Sequence, residues 1–346
     1  MAVMTICTIV PPHILDEVAA RTDDPALRDI ARRTAVLSTA QRTERRITPA
    51  EPAGPLEDFV PDRTVKDAHN LEQLPGDTVR KEGGAETGDT MADQAYDWLG
   101  VAFDFFEAAY RRNSIDGAGL PMISTVHYGR DYDNAFWNGA QMVYGDGDGT
   151  LFTAFTGPLD VTGHELTHGL TQHTANLDYY GQSGALNESM SDVFGALIKQ
   201  YHLGHTADQA DWLIGAGLLA PGVNGVALRS MKEPGTAYDD PNLGKDPQPG
   251  HMNDYVETYR DNGGVHINSG IPNRAFHLAA TAIGGRAWER AGQIWYDTLT
   301  GGGLSETIDF AAFAAATVET ASRLYGATAA ETGAVRTAWN GVGVST

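Results

Sequence analysis

The sequence predicts an α+β fold of two lobes, a β-rich N-lobe and an α-helical C-lobe, preceded by a short helical segment. Strand-like runs separated by turn residues fill residues 62–157, whereas apolar residues at helical spacing dominate residues 158–346. The chain has 346 residues, 42% of them hydrophobic, which is enough to bury the cores of two lobes.

The chain starts with residues 1–46, a helix-forming segment that is rich in arginine although the remainder is acidic. Residues 47–61 contain four prolines, which indicate an extended linker and a natural place for proteolytic cleavage. The N-lobe then carries one amphipathic helix over residues 90–114. The Gly-Asp alternation of residues 144–149 is turn chemistry and predicts a hairpin centred there, with a calcium site as a weaker alternative.

The boundary between the lobes carries the motif H-E-x-x-H at His164, Glu165 and His168. Residues four apart project from one face of a helix, so His164 and His168 can bind the same ion. His173 lies roughly 140° around the helix from His168, which predicts a surface or supporting role. A later helix carries Glu188, which can be the third ligand.

Two histidines and one carboxylate form the open type of zinc site found in hydrolases, in which water takes the fourth position. A closed structural site uses four protein ligands, usually with cysteine, and this chain has one cysteine. Asp192 and Asn187 are the candidates for orienting the histidine rings, since ligand histidines normally bond a second polar group. The alternative for Asp192 is an ordinary helix acid.

Four blocks, in order along the chain, resemble the signatures of the thermolysin-like metalloendopeptidases. They are residues 126–149, 160–192, 228–231 and 261–273. The resemblance extends from Asp62 to the C-terminus. It implies a thermolysin-like two-lobe fold with the zinc helix between the lobes, and hydrolysis of peptide or protein substrates.

The resemblance also implies catalytic roles. Glu165 is the general base, which takes a proton from water and passes it to the leaving amine. Tyr179 and His266 stabilise the developing oxyanion, and Asp261 orients His266. Tyr180, the neighbour of Tyr179, remains open as the alternative.

Further positions match the family's substrate-binding residues. Asn134 and Ala135 are implied to hydrogen-bond the substrate backbone as an added strand, and Arg229 to bind a substrate carbonyl beside the cut bond. The implied specificity pocket is lined by Phe152, Phe155, Val161, Ile214, Leu218 and Leu228. Because all six are apolar, we expect a bulky hydrophobic residue on the amine side of the cut bond. The alternative for each of the six is a plain place in the core.

The chain departs from the family where thermolysin binds a pair of calcium ions. Lys199 replaces one acidic ligand, while Leu213 and Ala216 replace two others. Calcium needs six to eight oxygen ligands, which these side chains cannot supply. We therefore expect no double calcium site, with the Lys199 ammonium standing between Asp160 and Asp211.

Residues 1–46 resemble the short propeptide of the protealysin-like branch, in which a double-proline motif precedes a helix. Here the motif is Pro11 and Pro12, and the resemblance implies a precursor kept inactive by its own propeptide. We expect residues 10–15 to lie over the cleft or against its wall. Cys7 is either a small buried apolar residue or a thiolate that reaches the zinc in the precursor.

Charge and hydropathy limit the remaining partners. The net charge of −21 disfavours nucleic acid and anionic membranes as partners. We find no apolar run near the ~18 to 20 residues of a membrane span. The first residues lack a basic start and a clean apolar core before the two prolines, so we expect no Sec-type signal. We therefore expect either a cytoplasmic protein or one exported by a signal-independent route.

Two other functions are compatible with parts of the sequence. A catalytically silent binding protein of the same fold would be expected to lack the base or a ligand, but Glu165, His164, His168 and Glu188 are all present. A zinc aminopeptidase would need an acidic anchor for a free substrate amine, and the block around Asn134 favours the endopeptidase.

Overall fold

The computed structural model describes residues 8–44 and 59–346. The first helices of the described residues are α1 (Pro12–Arg21) and α2 (Pro25–Glu44), which pack against each other. Each starts on a proline, where the missing N–H costs nothing because the first turn has no partner for it.

The N-lobe contains a five-stranded sheet. Its elements are β1 (Arg63–Asp67), β2 (Asp77–Lys81), α3 (Thr90–Tyr110), β3 (Met122–Val126), β4 (Ala135–Trp137) and β5 (Met142–Tyr144). The strand order is β2-β1-β3-β5-β4, in which β1, β3 and β5 are parallel and the two outer strands are antiparallel to their neighbours. β4 is therefore an edge strand, whose outer backbone groups can pair with another segment.

The prediction of a hairpin centred on residues 144–149 was wrong. The hairpin joins β4 to β5 through residues 138–141, because Trp137 pairs with Met142. Residues 145–149 lie beyond the last strand of the sheet. Asp148 folds them into a tight loop by accepting hydrogen bonds from the N–H groups of Thr150 and Leu151, at 2.8 and 2.7 Å. Gly-Asp alternation marks such a loop whether or not strands flank it.

The C-lobe is mainly helical, so the predicted α+β architecture is confirmed. Its elements are α4 (Leu159–Gln172), α5 (Gly181–Leu203), β6 (Leu213–Ile214), β7 (Arg229–Ser230), β8 (Asp239–Asp240), β9 (Gly244–Lys245), α6 (Asp261–Asn268), α7 (Gly270–Ile283), α8 (Ala291–Thr300), α9 (Phe310–Tyr325) and α10 (Ala330–Gly341). The two short strand pairs, β6 with β7 and β8 with β9, are antiparallel. Within the described residues, none of these helices has the length and apolarity needed to cross a bilayer.

Helix α4 is buried from Leu159 to Thr171 and packs on β4, α3 and α5. Two glycines allow α4 and α5 to approach closely. A Cβ added to Gly163 would lie 2.9 Å from the Cα of Gly195, and one added to Gly195 would lie 2.7 Å from the carbonyl oxygen of Asp160. Any larger residue at either position would push the helices apart, and with them the side chains that face each other across the contact.

Candidate active site

Three side chains that can hold a metal converge where α4 meets α5. His164 and His168 lie one turn apart on α4, and Glu188 faces them from α5. The two Nε2 atoms are 3.1 Å apart, and they lie 3.6 and 3.5 Å from the Glu188 carboxylate oxygens. The potential ligand atoms are all within 4.8 Å of one another, and none of the three residues is more than 5% exposed. The structure thus brings together the three predicted ligands.

Two polar side chains orient the histidine rings. His164 Nδ1 hydrogen-bonds Asp192 Oδ1 at 2.7 Å, and His168 Nδ1 hydrogen-bonds Asn187 Oδ1 at 2.8 Å. With Nδ1 engaged on each ring, the two Nε2 atoms face Glu188, which is the arrangement that presents lone pairs to a metal. Asp192 and Asn187 are the residues predicted for these positions.

The donor set fits a zinc ion. Two imidazole nitrogens and one carboxylate are zinc ligands, and they leave one coordination position open. Burial alone would raise the pKa of Glu188, but the positive charges around it, above all that of His266, lower that pKa to about 2. The carboxylate is therefore ionised at neutral pH, as metal binding requires.

Glu165 lies next to His164 on α4 and is held by the N-lobe. Its Oε2 accepts a hydrogen bond from the backbone N–H of Trp137, the last residue of β4, at 2.9 Å. The residue is fully buried and does not belong to the cluster of ligand atoms. Its carboxylate is thus anchored at the end of the edge strand, available for proton transfer rather than metal binding.

Tyr179 and His266 meet beside Glu188. The Tyr179 hydroxyl donates to Glu188 Oε1 and lies 3.2 Å from His266 Nε2. Tyr180 is 53% exposed, whereas Tyr179 is 8% exposed. The geometry therefore favours Tyr179 over its neighbour as the residue that faces the cluster.

Asp261 orients His266 through two hydrogen bonds. Its Oδ1 lies 2.6 Å from His266 Nδ1, and its Oδ2 accepts the backbone N–H of His266 at 2.9 Å. The backbone departs from helical geometry here with positive φ from Asp261 to Gly264, and Gly263 and Gly264, at 84° and 74°, adopt such values without strain. Burial alone would lower the pKa of His266, but Asp261 and Glu188 raise it above its ordinary value.

Arg229 is a buried cation, 2% exposed, that is tied to the metal cluster through Asp192. Its Nε and Nη2 donate to the two Asp192 oxygens at 2.9 and 2.8 Å. Asn273 Nδ2 donates to Asp192 Oδ2 at 2.8 Å. Asn273 was not singled out by the motifs, and its only signal is its place at the end of the fourth block. Asp192 therefore links a metal ligand, His164, to the predicted substrate-binding arginine.

The N-terminal segment lies on the residues predicted to bind substrate. Ile9 donates its N–H to the Ala135 carbonyl at 3.1 Å, and its own carbonyl accepts from Arg229 Nη1 at 3.1 Å. The Val10 N–H donates to Asn134 Oδ1 at 2.9 Å, and Asn134 Nδ2 donates to the Val10 carbonyl at 3.2 Å. Asn134, Ala135 and Arg229 are thus brought together around one peptide segment.

Pro11 and Pro12 directly follow the two residues that make these contacts. Pro11 is buried and caps α1, and Pro12 is the first residue of that helix. The hydrogen bonds to the cleft are made by the two residues before them, because proline has no N–H to donate. The motif pointed to the segment but not to Ile9, which bonds both Ala135 and Arg229. Cys7 lies outside the described residues.

The six residues predicted to line the specificity pocket are all buried. None of Phe152, Phe155, Val161, Ile214, Leu218 and Leu228 is more than 1% exposed. The rings of Phe152 and Phe155 pack with centroids 5.9 Å apart, and the Leu228 N–H bonds the Ile214 carbonyl at 3.0 Å. Leu228 directly precedes Arg229, so this apolar group adjoins the arginine that holds Ile9.

Lys199 occupies the position predicted for it. Its Nζ lies 2.8 Å from Asp160 Oδ2, 3.0 Å from Asp211 Oδ1 and 2.9 Å from the Leu213 carbonyl. Burial raises the pKa of the fully buried Asp160, and Lys199 acts against that rise. The ammonium thus compensates the charge of a buried carboxylate in the first turn of α4.

Comparison with known proteins agrees with this geometry. Residues 27–172 match the model of the thermolysin metallopeptidase catalytic domain, and residues 175–344 that of its alpha-helical domain. The chain is 54% identical to the extracellular metalloprotease of Pectobacterium carotovorum subsp. carotovorum, over 98% of this chain and 96% of that protein. It is 53% identical to protease PrtS of Photorhabdus sp. (strain Az29), over 76% of this chain and 71% of that protein. The solved precursor of protealysin, a metalloproteinase from Serratia proteamaculans, is 52% identical, with a TM-score of 0.90 over 98% of this chain and 100% of that chain.

Proposed function

The chain belongs to the thermolysin family of metallopeptidases, and we propose that it is a zinc-dependent endopeptidase, made as a zymogen, that cuts on the amino side of bulky hydrophobic residues. One observation carries the proposal: His164, His168 and Glu188 converge beside Glu165, next to an edge strand on which a peptide segment already lies. The meeting of the predicted ligands, the predicted base and a groove that holds a peptide supports this proposal.

His164, His168 and Glu188 would hold the zinc ion. When bound, zinc supplies a positive charge that acidifies water and polarises a carbonyl group. Asp192 and Asn187 keep both imidazoles in the tautomer with Nε2 as acceptor, through the bonds at 2.7 and 2.8 Å.

Glu165 serves as the general base. It accepts a proton from the attacking water and returns it to the nitrogen of the leaving amine. The N–H of Trp137 fixes one carboxylate oxygen at the end of β4, where the substrate backbone runs. Tyr179 and His266 donate hydrogen bonds to the oxygen that becomes negative, for which the Tyr179 hydroxyl proton turns away from Glu188. Asp261 holds the His266 ring in place through its Nδ1.

Substrate orientation follows from the groups that now bind residues 9 and 10. Asn134 and Ala135 pair with the backbone, and Arg229 donates to a carbonyl, so a substrate adds to β4 as another strand. The apolar group next to Arg229 supports a preference for Leu, Phe or Ile after the cut bond, because a charged side chain there would lose its hydration without gaining a partner.

The same contacts explain why the precursor should be inactive. Ile9 and Val10, each fully buried, occupy the backbone partners that a substrate needs. The intact chain should therefore be nearly inactive until residues 1–46, which we call the propeptide, are removed.

We also propose that the protein lacks the double calcium site. The Lys199 ammonium between Asp160 and Asp211 supports this, because it already compensates the two carboxylates.

We further propose that the protein is exported. A relative from Pectobacterium carotovorum subsp. carotovorum is named an extracellular metalloprotease, which favours export over the cytoplasmic alternative. Measuring activity in the culture medium and the cell fraction of the native host tests the location.

The experiment is hydrolysis of an internally quenched peptide with both ends blocked, before and after proteolysis in the linker of residues 47–61, with and without a zinc chelator. We expect activity only after proteolysis, lost with the chelator and restored by zinc. A blocked peptide is no substrate for an aminopeptidase, so cleavage of only the unblocked version would favour that alternative. No cleavage of either by the zinc-loaded, processed chain would favour the silent binding protein.

A further inference from the structure

Two contacts set the direction of residues 8–10 relative to β4. The Ile9 N–H bonds the backbone carbonyl of Ala135, and the Val10 backbone bonds the side chain of Asn134, the residue before it, so the segment runs opposite to the start of β4. Moving toward the N-terminus of the segment therefore means moving forward along β4, whose last residue bonds Glu165. Thr8 must then lie on the side of Ile9 that faces the base, with Val10 on the far side.

Arg229 holds the same segment through a second contact. It donates to the Ile9 carbonyl while its other nitrogens bind Asp192, which in turn bonds the metal ligand His164. Thr8 and Ile9 are both 0% exposed. The peptide bond between these two residues is thus directed at the catalytic end of the cleft, and bulk water is excluded from it.

Ile9 also has the chemistry of a residue that follows a cut bond. It is branched and apolar, and it is held by Arg229, which adjoins the apolar group of Leu228. This inference rests on the proposed function. Under that function, the propeptide backbone runs through the cleft in the same direction as the backbone of a substrate.

We propose that the Thr8–Ile9 peptide bond is a self-cleavage site, cut by the active site of the same chain while the segment is docked. The oxygen of water adds to the Thr8 carbonyl carbon, and the bond from that carbon to the Ile9 nitrogen breaks. Glu165 carries the water's proton to that nitrogen. The second proton of the water then passes from the new carboxyl group to the amine, so the products are a carboxylate on Thr8 and an ammonium on Ile9, with no other reactant consumed.

The local backbone makes this cleavage slow. A substrate that adds to a strand is extended, whereas the chain bends at Ile9 and Val10, and Thr8 Oγ1 donates to the Val10 carbonyl at 3.2 Å. The cut removes residues 1–8 but leaves Val10 bonded to Asn134 and α1 in place. The precursor therefore passes through a trimmed form before the linker is cut.

The test follows the zinc-loaded full chain by intact mass spectrometry during overnight incubation at neutral pH. We expect loss of residues 1–8, a new N-terminus reading IVPPH, and a rate that does not change on dilution. A chain that keeps residues 1–8, or loses them at a rate that falls with dilution, overturns the proposal. The Glu165→Ala chain should remain whole, and trimming of that chain would also overturn it.

Variants at residue 9 distinguish binding of its side chain in the apolar pocket from a general weakening of the docked segment. Ile9→Ala should slow the cut about tenfold or more, because a hydrophobic pocket discriminates by that much per group lost. Ile9→Leu keeps the bulk and should cut within a few-fold of the parent rate. Equal rates for all three chains would contradict the assignment.

Two measurements keep this inference apart from the proposed function. The first is deuterium exchange of protein whose zinc has been removed by a chelator, in which the Ile9 and Val10 amides should exchange slowly. The Asn134→Ala substitution should speed exchange at Val10. Fast exchange of both amides in the parent chain would refute the docked register. Hydrolysis of the quenched peptide after linker proteolysis tests the proposed function alone. If that peptide is cut and residues 1–8 stay attached to the precursor, only the self-cleavage inference fails.

Discussion

His13 lies in the first turn of α1, at the contact between the propeptide and the C-lobe. Its Nε2 hydrogen-bonds the Tyr238 hydroxyl at 3.2 Å, and its buried Nδ1 has no hydrogen-bond partner among the described residues. Burial is the main cause that lowers its pKa to about 4. The charged groups that face it are Asp261 and Glu17, which favour protonation, and His266 and Arg229, which oppose it.

Protonation of His13 should therefore undock the propeptide. A histidine in an undocked segment titrates near ~6.5. Because docking lowers this pKa to about 4, docking is at full strength above pH ~6.5 and weakens as the pH falls toward 4. Between pH 7 and pH 5 the docking equilibrium should fall about twentyfold, or about 2 kcal/mol.

The assay is deuterium exchange of the α1 amides, corrected for the intrinsic pH dependence of exchange. The Glu165→Ala chain is used so that it stays whole. We expect the opening equilibrium of α1 to rise about twentyfold from pH 7 to pH 5. In the same chain with His13→Gln it should change by less than about threefold, since glutamine does not titrate. Equal opening of the two chains at pH 5 would refute the reasoning, and the α9 amides serve as the internal control.

Three further predictions concern the catalytic lobes. Glu165→Ala should keep its zinc but lose about a thousandfold or more of its activity, because base catalysis fails while the ligands remain; metal analysis showing lost zinc, or near-native turnover, would contradict this. Millimolar calcium should raise the melting temperature of the processed protein by no more than a few degrees, since the Lys199 ammonium already bonds Asp160; a larger rise would count against it, and Lys199→Glu should restore calcium dependence only in part. Hydrogen bonding to Asp146, aided by Asp89, raises the pKa of His127 to about 9, so its contribution of about 1–2 kcal/mol is complete below pH ~6.5 and lost as the pH rises through 9. His127→Gln should therefore lower the melting temperature at pH 6 more than at pH 10, and equal shifts at both would disprove the assignment.

The features that the sequence determined by itself are those set by short spacings. His164 and His168 share a face because a helix repeats every 3.6 residues, and that holds wherever the helix packs. The chemistry of a single side chain is also independent of the fold, because the ammonium of Lys199 cannot ligate calcium wherever it lies. The β-rich character of one lobe and the helical character of the other were also predictable, because apolar residues recur at strand spacing in the first and at helical spacing in the second.

Tertiary structure decided what depends on distant segments meeting. The resemblance favoured Tyr179 but left the adjacent Tyr180 open, and only the packing buries the first against Glu188 and exposes the second. Ile9 carries no signal of its own, because its partner Arg229 lies 220 residues away and the pairing exists only once β4 is an open edge. Contacts of this kind leave no periodicity in the chain, since the approach of two surfaces is set by the packing of every element between them.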